Sequence, residues 1–254
     1  MNTRYRLLIV SLLALLADQS AVADRPSVPP TALMHWEMEL EQHGVATDTA
    51  SVIQAALTHH DSGVRFSAVE LLGWRGEHEA EGGLRRVLEK DEERLVREGA
   101  ALALARLGYR DALGAVRGFL MTSSGSHQLY LARELAKLGD FYGYRFVRAA
   151  AVAQEEELRR RSPEALLPFL TANFDPGEGL ASPGQLLTQL LRDKGARVRQ
   201  EAIFAVSYYS TGATPRPPFP EHRAIVEEMG ENDPLPVVRE QALRLVAAWT
   251  RSAG

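Results

Sequence analysis

The chain has 254 residues, with 29 Lys and Arg against 33 Asp and Glu, a net charge of −4, and no Cys. Lack of Cys excludes disulfides, thiolate metal sites and thiol nucleophiles, so packing alone must hold the fold. The mild acidity favours solubility and speaks against a nucleic-acid partner, which needs a basic face.

The first segment is a leader. Arg4 and Arg6 precede an apolar stretch at 7–17, and Ala21-Val22-Ala23 forms an A-x-A site. This is the layout of a signal peptide, 1–23, cleaved near Ala23. The apolar stretch falls short of the roughly 20 residues that span a bilayer, and no later segment spans. Export, to a bacterial periplasm, is therefore expected, with a mature chain carrying 27 basic and 32 acidic residues. Residues 24–46 read as a linker and a capping helix, in which Leu33, Trp36 and Leu40 stand at helical spacing.

Residues 47–254 are repetitive. GVRFSAVELLGWRG (63–76), LVREGAALALARLG (95–108), RVRQEAIFAVSYYS (197–210) and VVREQALRLVAAWT (237–250) share a Val-Arg pair and a run of small apolar residues. HQLYLARELAKLG is a fifth copy, with His127 at the Val position. Val64, Val96, His127, Val198 and Val238 are then 32, 31, 71 and 40 apart, and the gap of 71 holds one degenerate unit. That unit is expected at 140–156 and 162–174, with Ser162-Pro163-Glu164 as a helix start. A period of about 30 to 40 residues signals stacked supersecondary units.

Each unit reads as two helices. Leu84, Val87 and Leu88, or Leu113, Val116 and Leu120, mark a short first helix, and the repeated segment is the second. Asp61, Asp91, Asp193 and Asp233 are expected N-caps of second helices, and Gly76, Gly108 and Gly139 C-caps. No stretch alternates as a strand would. The fold class expected is all-α: an α-solenoid of about six two-helix repeats with an N-terminal capping helix.

At about 100° per residue, Arg65, Arg97, Arg199 and Arg239 fall inside the apolar stripe of the second helix. A charge there needs a partner. A structural ladder with Asp61, Asp91, Asp193 and Asp233 is expected, within or between units; the alternative is snorkelling to water.

The D-x(4)-V-R-x-x-A-x(3)-L pattern resembles HEAT repeats, in particular the bacterial HEAT-like type first named from phycobilisome lyases. Asp91, Val96, Arg97, Ala100 and Leu104 carry it, as do Asp193, Val198, Arg199, Ala202 and Val206, and Asp233, Val238, Arg239, Ala242 and Val246. The resemblance implies a binding scaffold. It also raises enzymes. Deoxyhypusine hydroxylases of this type hold iron through His-Glu pairs just after Val-Arg; here those places hold Phe66-Ser67, Glu98-Gly99, Gln200-Glu201 and Glu240-Gln241. His78-Glu79 lies in a turn, and His59 and His60 are adjacent, about 100° apart on a helix. There is no G-x-S-x-G. No catalytic residue, metal site or cofactor is expected. The leader speaks against a phycobilin lyase, and the acidity against a DNA glycosylase.

Opposite the apolar stripe stand Phe66, Trp74, Leu102, Arg106, Tyr130, Arg133, Lys137, Phe204, Tyr208 and Arg244. Aromatic residues and Arg are common interface anchors. One reading makes this face a groove for a protein or peptide partner; the other has packing between units cover it. The loops 175–184 and 211–220, the latter with four prolines, are plain connections or a stiff binding rim. The function expected is a non-catalytic exported scaffold or adaptor; the alternative is an enzyme or ligand-handling protein with a pocket in the groove or at the Pro-rich rim.

Overall fold

The computed structural model describes residues 30–211 and 219–252. The expected leader, 1–23, and most of the Pro-rich loop lie outside the described residues. Among the described residues there are thirteen α-helices and no strand: α1 (Pro30–Gln42), α2 (Thr49–Thr58), α3 (Ser62–Arg75), α4 (Glu81–Lys90), α5 (Arg94–Arg106), α6 (Ala112–Met121), α7 (Gly125–Lys137), α8 (Tyr144–Ala151), α9 (Glu156–Thr171), α10 (Pro183–Leu191), α11 (Ala196–Thr211), α12 (Pro220–Asn232) and α13 (Pro236–Ser252). The fold class is an all-α solenoid: α1 is followed by six consecutive helix pairs. No described helix is long and apolar enough to cross a membrane.

The contacts divide the chain into two compact units that meet in sequence between Phe119 and Leu120. In the first unit α1 packs on α3, α3 on α5, and α2 on α3 and α4. In the second, α7, α9, α11 and α13 pack in succession, and α8, α10 and α12 form the neighbouring row. Each unit therefore stacks first helices on first helices and second on second. The apolar stripe of the second helices is the core: Val64, Ala68, Val69 and Leu72 in α3, Val96, Ala100 and Leu104 in α5, and Val198, Ala202, Ile203 and Val206 in α11 are all buried. Small residues set the spacing. A Cβ on Gly73 would lie 2.6 Å from the Cβ of Ala103, so α3 and α5 approach as closely as glycine allows.

Two expectations are corrected. The degenerate unit does not start a helix at Ser162-Pro163. α9 begins at Glu156 and carries Pro163 and Pro168 inside it. This places Leu158-Arg159 at the Val-Arg position, 31 residues after His127 and 40 before Val198. The Ser162 hydroxyl donates to the Leu158 carbonyl at 2.8 Å, next to the backbone donor that Pro163 lacks. Nor are the repeat Asp residues uniformly N-caps. Asp61 caps α3, but Asp91 and Asp233 terminate the preceding helices, and Asp193 lies three residues before α11. Each takes the backbone N–H two residues on, at Glu93, Leu235 and Gly195. They are elbow residues, which leaves one carboxylate edge free to face another repeat.

Candidate interaction surface

The repeat Arg residues occupy those edges. Arg65 donates from Nε and Nη2 to the two Asp91 oxygens at 2.7 and 2.9 Å. Arg159 grips Asp193 in the same way at 2.7 and 3.3 Å, and Arg199 grips Asp233 at 2.6 and 2.8 Å. Each fork thus holds the Asp of the following repeat. The remaining nitrogen, Nη1, turns back to carbonyls at the end of the repeat's own first helix: His59 and His60 for Arg65, Ala153 and Gln154 for Arg159, Asp193 and Lys194 for Arg199. Arg97 and Arg239 make this second kind of bond, to Asp91 and Glu92 and to Asp233. Gln128, the residue at this position in the third repeat, donates to the Leu120 and Ser123 carbonyls. Burial pushes the carboxyls of Asp91, Asp193 and Asp233 up, but the guanidinium and backbone N–H bonds outweigh it and hold all three below the ordinary carboxylate value. Asp61 bonds the Gly63 N–H.

The face opposite the stripe is largely occupied in the first four repeats. Leu102 is buried, so it belongs to the core and not to a solvent-facing surface. Phe66 packs edge-on to Trp36 with ring centres 5.8 Å apart and presses on Gly99. Glu70 and Arg106 form a buried pair at 2.9 Å, and Arg106 lies 4.2 Å over the Trp74 ring. The Trp74 indole N–H also donates to Glu70 at 3.1 Å. Arg133 is buried as well, paired with Glu164 and Glu134. Its guanidinium lies 5.7 Å from the Tyr130 ring. Lys137, exposed, donates to Glu134 at 2.9 Å. Arg160 donates to Glu201 at 3.1 Å. These carboxylates were not marked by the motif; their signal is a place one or two turns from a motif position, on the side that meets the next second helix.

The fifth and sixth repeats differ. Phe204 is 52% exposed, Tyr208 half-buried, and Arg244 exposed with a partner, Glu240, on its own helix. Among the described residues, small hollows elsewhere include one of about 150 Å³ between Gln128, Leu129, Phe146 and Leu158 and one of about 160 Å³ between Leu57, Arg86, Val87 and Asp91. Small-molecule sites are usually about 300–1,000 Å³. Among the described residues no three His, Asp or Glu side chains are grouped to hold a metal ion.

Near the same end, His222 is buried beneath Phe219, its Nε2 3.0 Å from the Gly184 carbonyl. Phe219 itself stacks on Tyr209. Burial lowers the imidazole pKa below 6.5, although the Gly184 bond acts the other way. The folded state therefore favours neutral His222. Its contribution is complete above the unfolded value and is lost as pH falls through the folded one, at about 1.4 kcal/mol per pH unit between them. Thermal melting from pH 7.5 to 5.5 is expected to show a falling midpoint, and a shallower fall in His222→Gln. Parallel profiles would contradict the assignment.

Residues 38–105 match the family model for HEAT repeats. No curated protein matches the chain. Among solved structures, it is similar to a designed armadillo repeat protein, YIII(Dq.V1)4CPAF in complex with peptide (KR)4, at 16% identity and TM-score 0.45, covering 80% of this chain and 99% of that one. Human deoxyhypusine hydroxylase in complex with glycerol is similar at 16% identity and TM-score 0.34, covering 95% and 96%. An archaeal HEAT-like repeats protein from Thermococcus onnurineus NA1 is similar at 15% identity and TM-score 0.33, covering 94% and 95%.

Proposed function

We propose that the chain is an exported, non-catalytic scaffold or adaptor that binds a protein or peptide segment. The contact surface is the outer side of α11 and α13, with Phe204, Tyr208 and Arg244 as anchors. The observation that carries this reading is Phe204, 52% exposed at a position where the first three repeats bury Glu70, Leu102 and Arg133. A large ring in water beside a half-buried Tyr is a typical anchor for a partner and a poor contribution to folding. The leader at 1–23 supports export.

The test separates binding from folding. Peptides selected from a displayed random library against the wild-type chain are expected to lose at least tenfold in affinity for the Phe204→Ser, Tyr208→Ser double variant. Its stability is expected to stay within about 2 kcal/mol of wild type, since Phe204 is exposed and Tyr208 only half-buried. Equal affinity for both proteins would remove this surface from the reading, and a large stability loss would assign the two rings to the core.

A further inference from the structure

Between the third and fourth repeats both halves of the ladder are replaced. Gln128 stands where Arg65, Arg159 and Arg199 stand, and Ala153, six residues before Arg159, stands where Asp91, Asp193 and Asp233 stand. The Ala153 carbonyl still accepts Arg159, as those of Asp193 and Asp233 accept Arg199 and Arg239. Gln128 turns to carbonyls of its own repeat. Beside it opens the hollow of about 150 Å³, walled by Leu129, Phe146, Ala149 and Leu158. Among the described residues no ionisable side chain lines it, whereas Arg86, Lys90 and Asp91 line the hollow of similar volume in the first unit. The hollow at Gln128 therefore suits an apolar group and the other does not. It continues onto a strip of α8. Arg145, Ala149 and Val152 are exposed at i, i+4 and i+7, and Tyr142 precedes them by about one turn. The Arg145 guanidinium lies 4.4 Å from the Tyr142 ring centre and 4.7 Å from that of Phe146, and donates to the Tyr142 hydroxyl. That hydroxyl meets the Met121 Sδ at 3.3 Å. Met121 is 59% and Val152 53% exposed. A cation shelved on two rings thus stands beside an apolar hollow.

We infer that this surface binds an acidic amphipathic helix of a partner protein. One side chain of Leu or Phe size enters the hollow, and a carboxylate one turn away on the same face pairs with Arg145. The volume fits, since an apolar space of roughly 150 Å³ holds a benzene-sized group. The shape fits as well. An exposed strip at helical spacing, with the small Ala149 at its middle, lets a second helix lie close and offer anchors at the same spacing. The sign follows from charge complementarity: α8 carries Arg145 and Arg148 and no acid. A guanidinium held in place by two rings selects a carboxylate over a neutral group. The exposed Glu155 and Glu156 follow Val152 in sequence, so the carboxylate of the ligand belongs at the Arg145 end of the strip. This site shares no residue with Phe204, Tyr208 and Arg244 and does not depend on them.

The probe is a displayed library of alanine-rich helical peptides randomised along one face. It is selected on the full chain and counter-selected on the Arg145→Glu, Ala149→Arg double variant. Both positions are exposed, and the melting midpoint shows that the variant folds. Surviving peptides are expected to carry Asp or Glu one turn from Leu, Ile or Phe. Their affinity should fall at least tenfold for Arg145→Glu or Ala149→Arg alone, and stay unchanged for the Phe204→Ser, Tyr208→Ser double variant. Changing the acid of a peptide to Lys should restore its binding to Arg145→Glu, a rescue that a misfolded variant could not give. A selection in which no peptide survives, or in which the survivors carry no acid, overturns the proposal. So does self-association of the chain alone that Arg145→Glu abolishes, because the occupant is then a second copy.

Discussion

Asp233→Ala is expected to destabilise the chain by about 3–5 kcal/mol, the range for breaking a buried ion pair by removing one partner. Asp233 is 5% exposed, and its carboxylate takes two N–H groups of Arg199 and the backbone N–H of Leu235. Truncation leaves a guanidinium between two repeats with only its Nη1 bonds to Asp193 and Lys194. The cost comes mostly from that stranded charge and less from the lost attraction. Replacing both residues by apolar ones, Arg199→Met with Asp233→Leu, should therefore recover much of the loss. Asp61→Ala is the internal control: Asp61 is exposed and caps α3 through the Gly63 N–H, so about 1 kcal/mol is expected. Urea denaturation at constant slope measures all of these. The pH dependence has a definite sign. Because the folded Asp233 pKa is lowered, the pair contributes fully above about pH 4 and is lost as pH falls through the folded value. A loss for Asp233→Ala no larger than that for Asp61→Ala would show that the ladder positions repeats without holding them.

The repeat, its two helices and the need for a carboxylate beside each Arg were legible in the spacing of Val64, Val96, Val198 and Val238. Which carboxylate was not. An Asp six residues before the Arg and one 26 or 34 after it are equally acidic, and only the elbow geometry decides that the near residue offers its carbonyl and the far one its side chain. The fourth repeat was expected, but the start of its second helix was misplaced because Pro163 looks like a first-turn residue. Its helix tolerates the ring, and the real motif, Leu158-Arg159, stands five residues earlier. The outer face was misplaced at Leu102 and Arg133 for a different reason. A helical wheel assumes one wet side and one dry side. A second helix within a stack has its own first helix and a second helix on each flank, so its wet side is a narrow strip. Small residues at Gly73 and Ala103 narrow it further by drawing α3 and α5 together. Phe204 and Arg244 remain outside because they lie in the fifth and sixth repeats, where the flanking side chains do not close over that strip.

Trp36→Ala is expected to cost about 3–5 kcal/mol, as for other buried large aromatic residues, and to act on the first unit. α1 is too short and too weakly amphipathic to persist alone, and it is held by Trp36 and Leu40, both fully buried, and by Glu37, which receives Arg75 from the end of α3. The Trp36 ring meets the edge of Phe66, and Phe66 rests on Gly99 of α5, where an added Cβ would come within 3.1 Å. Removing the indole therefore loosens a chain of contacts running from the cap through the first repeat into the second. Met34 and Met38 are 55% and 52% exposed on the same helix, and their Ala variants should stay within about 0.5 kcal/mol. Stacked repeats depend mainly on their nearest neighbours, so the effect should fade along the chain. Hydrogen exchange read helix by helix distinguishes the cases. Protection should drop in α1, α2 and α3, less in α5, and not in α11 to α13. Equal costs for Trp36→Ala and Met38→Ala would make α1 a passenger; a uniform loss of protection to the last helix would mean that the two units melt as one and that nearest-neighbour stacking does not describe how this chain is held.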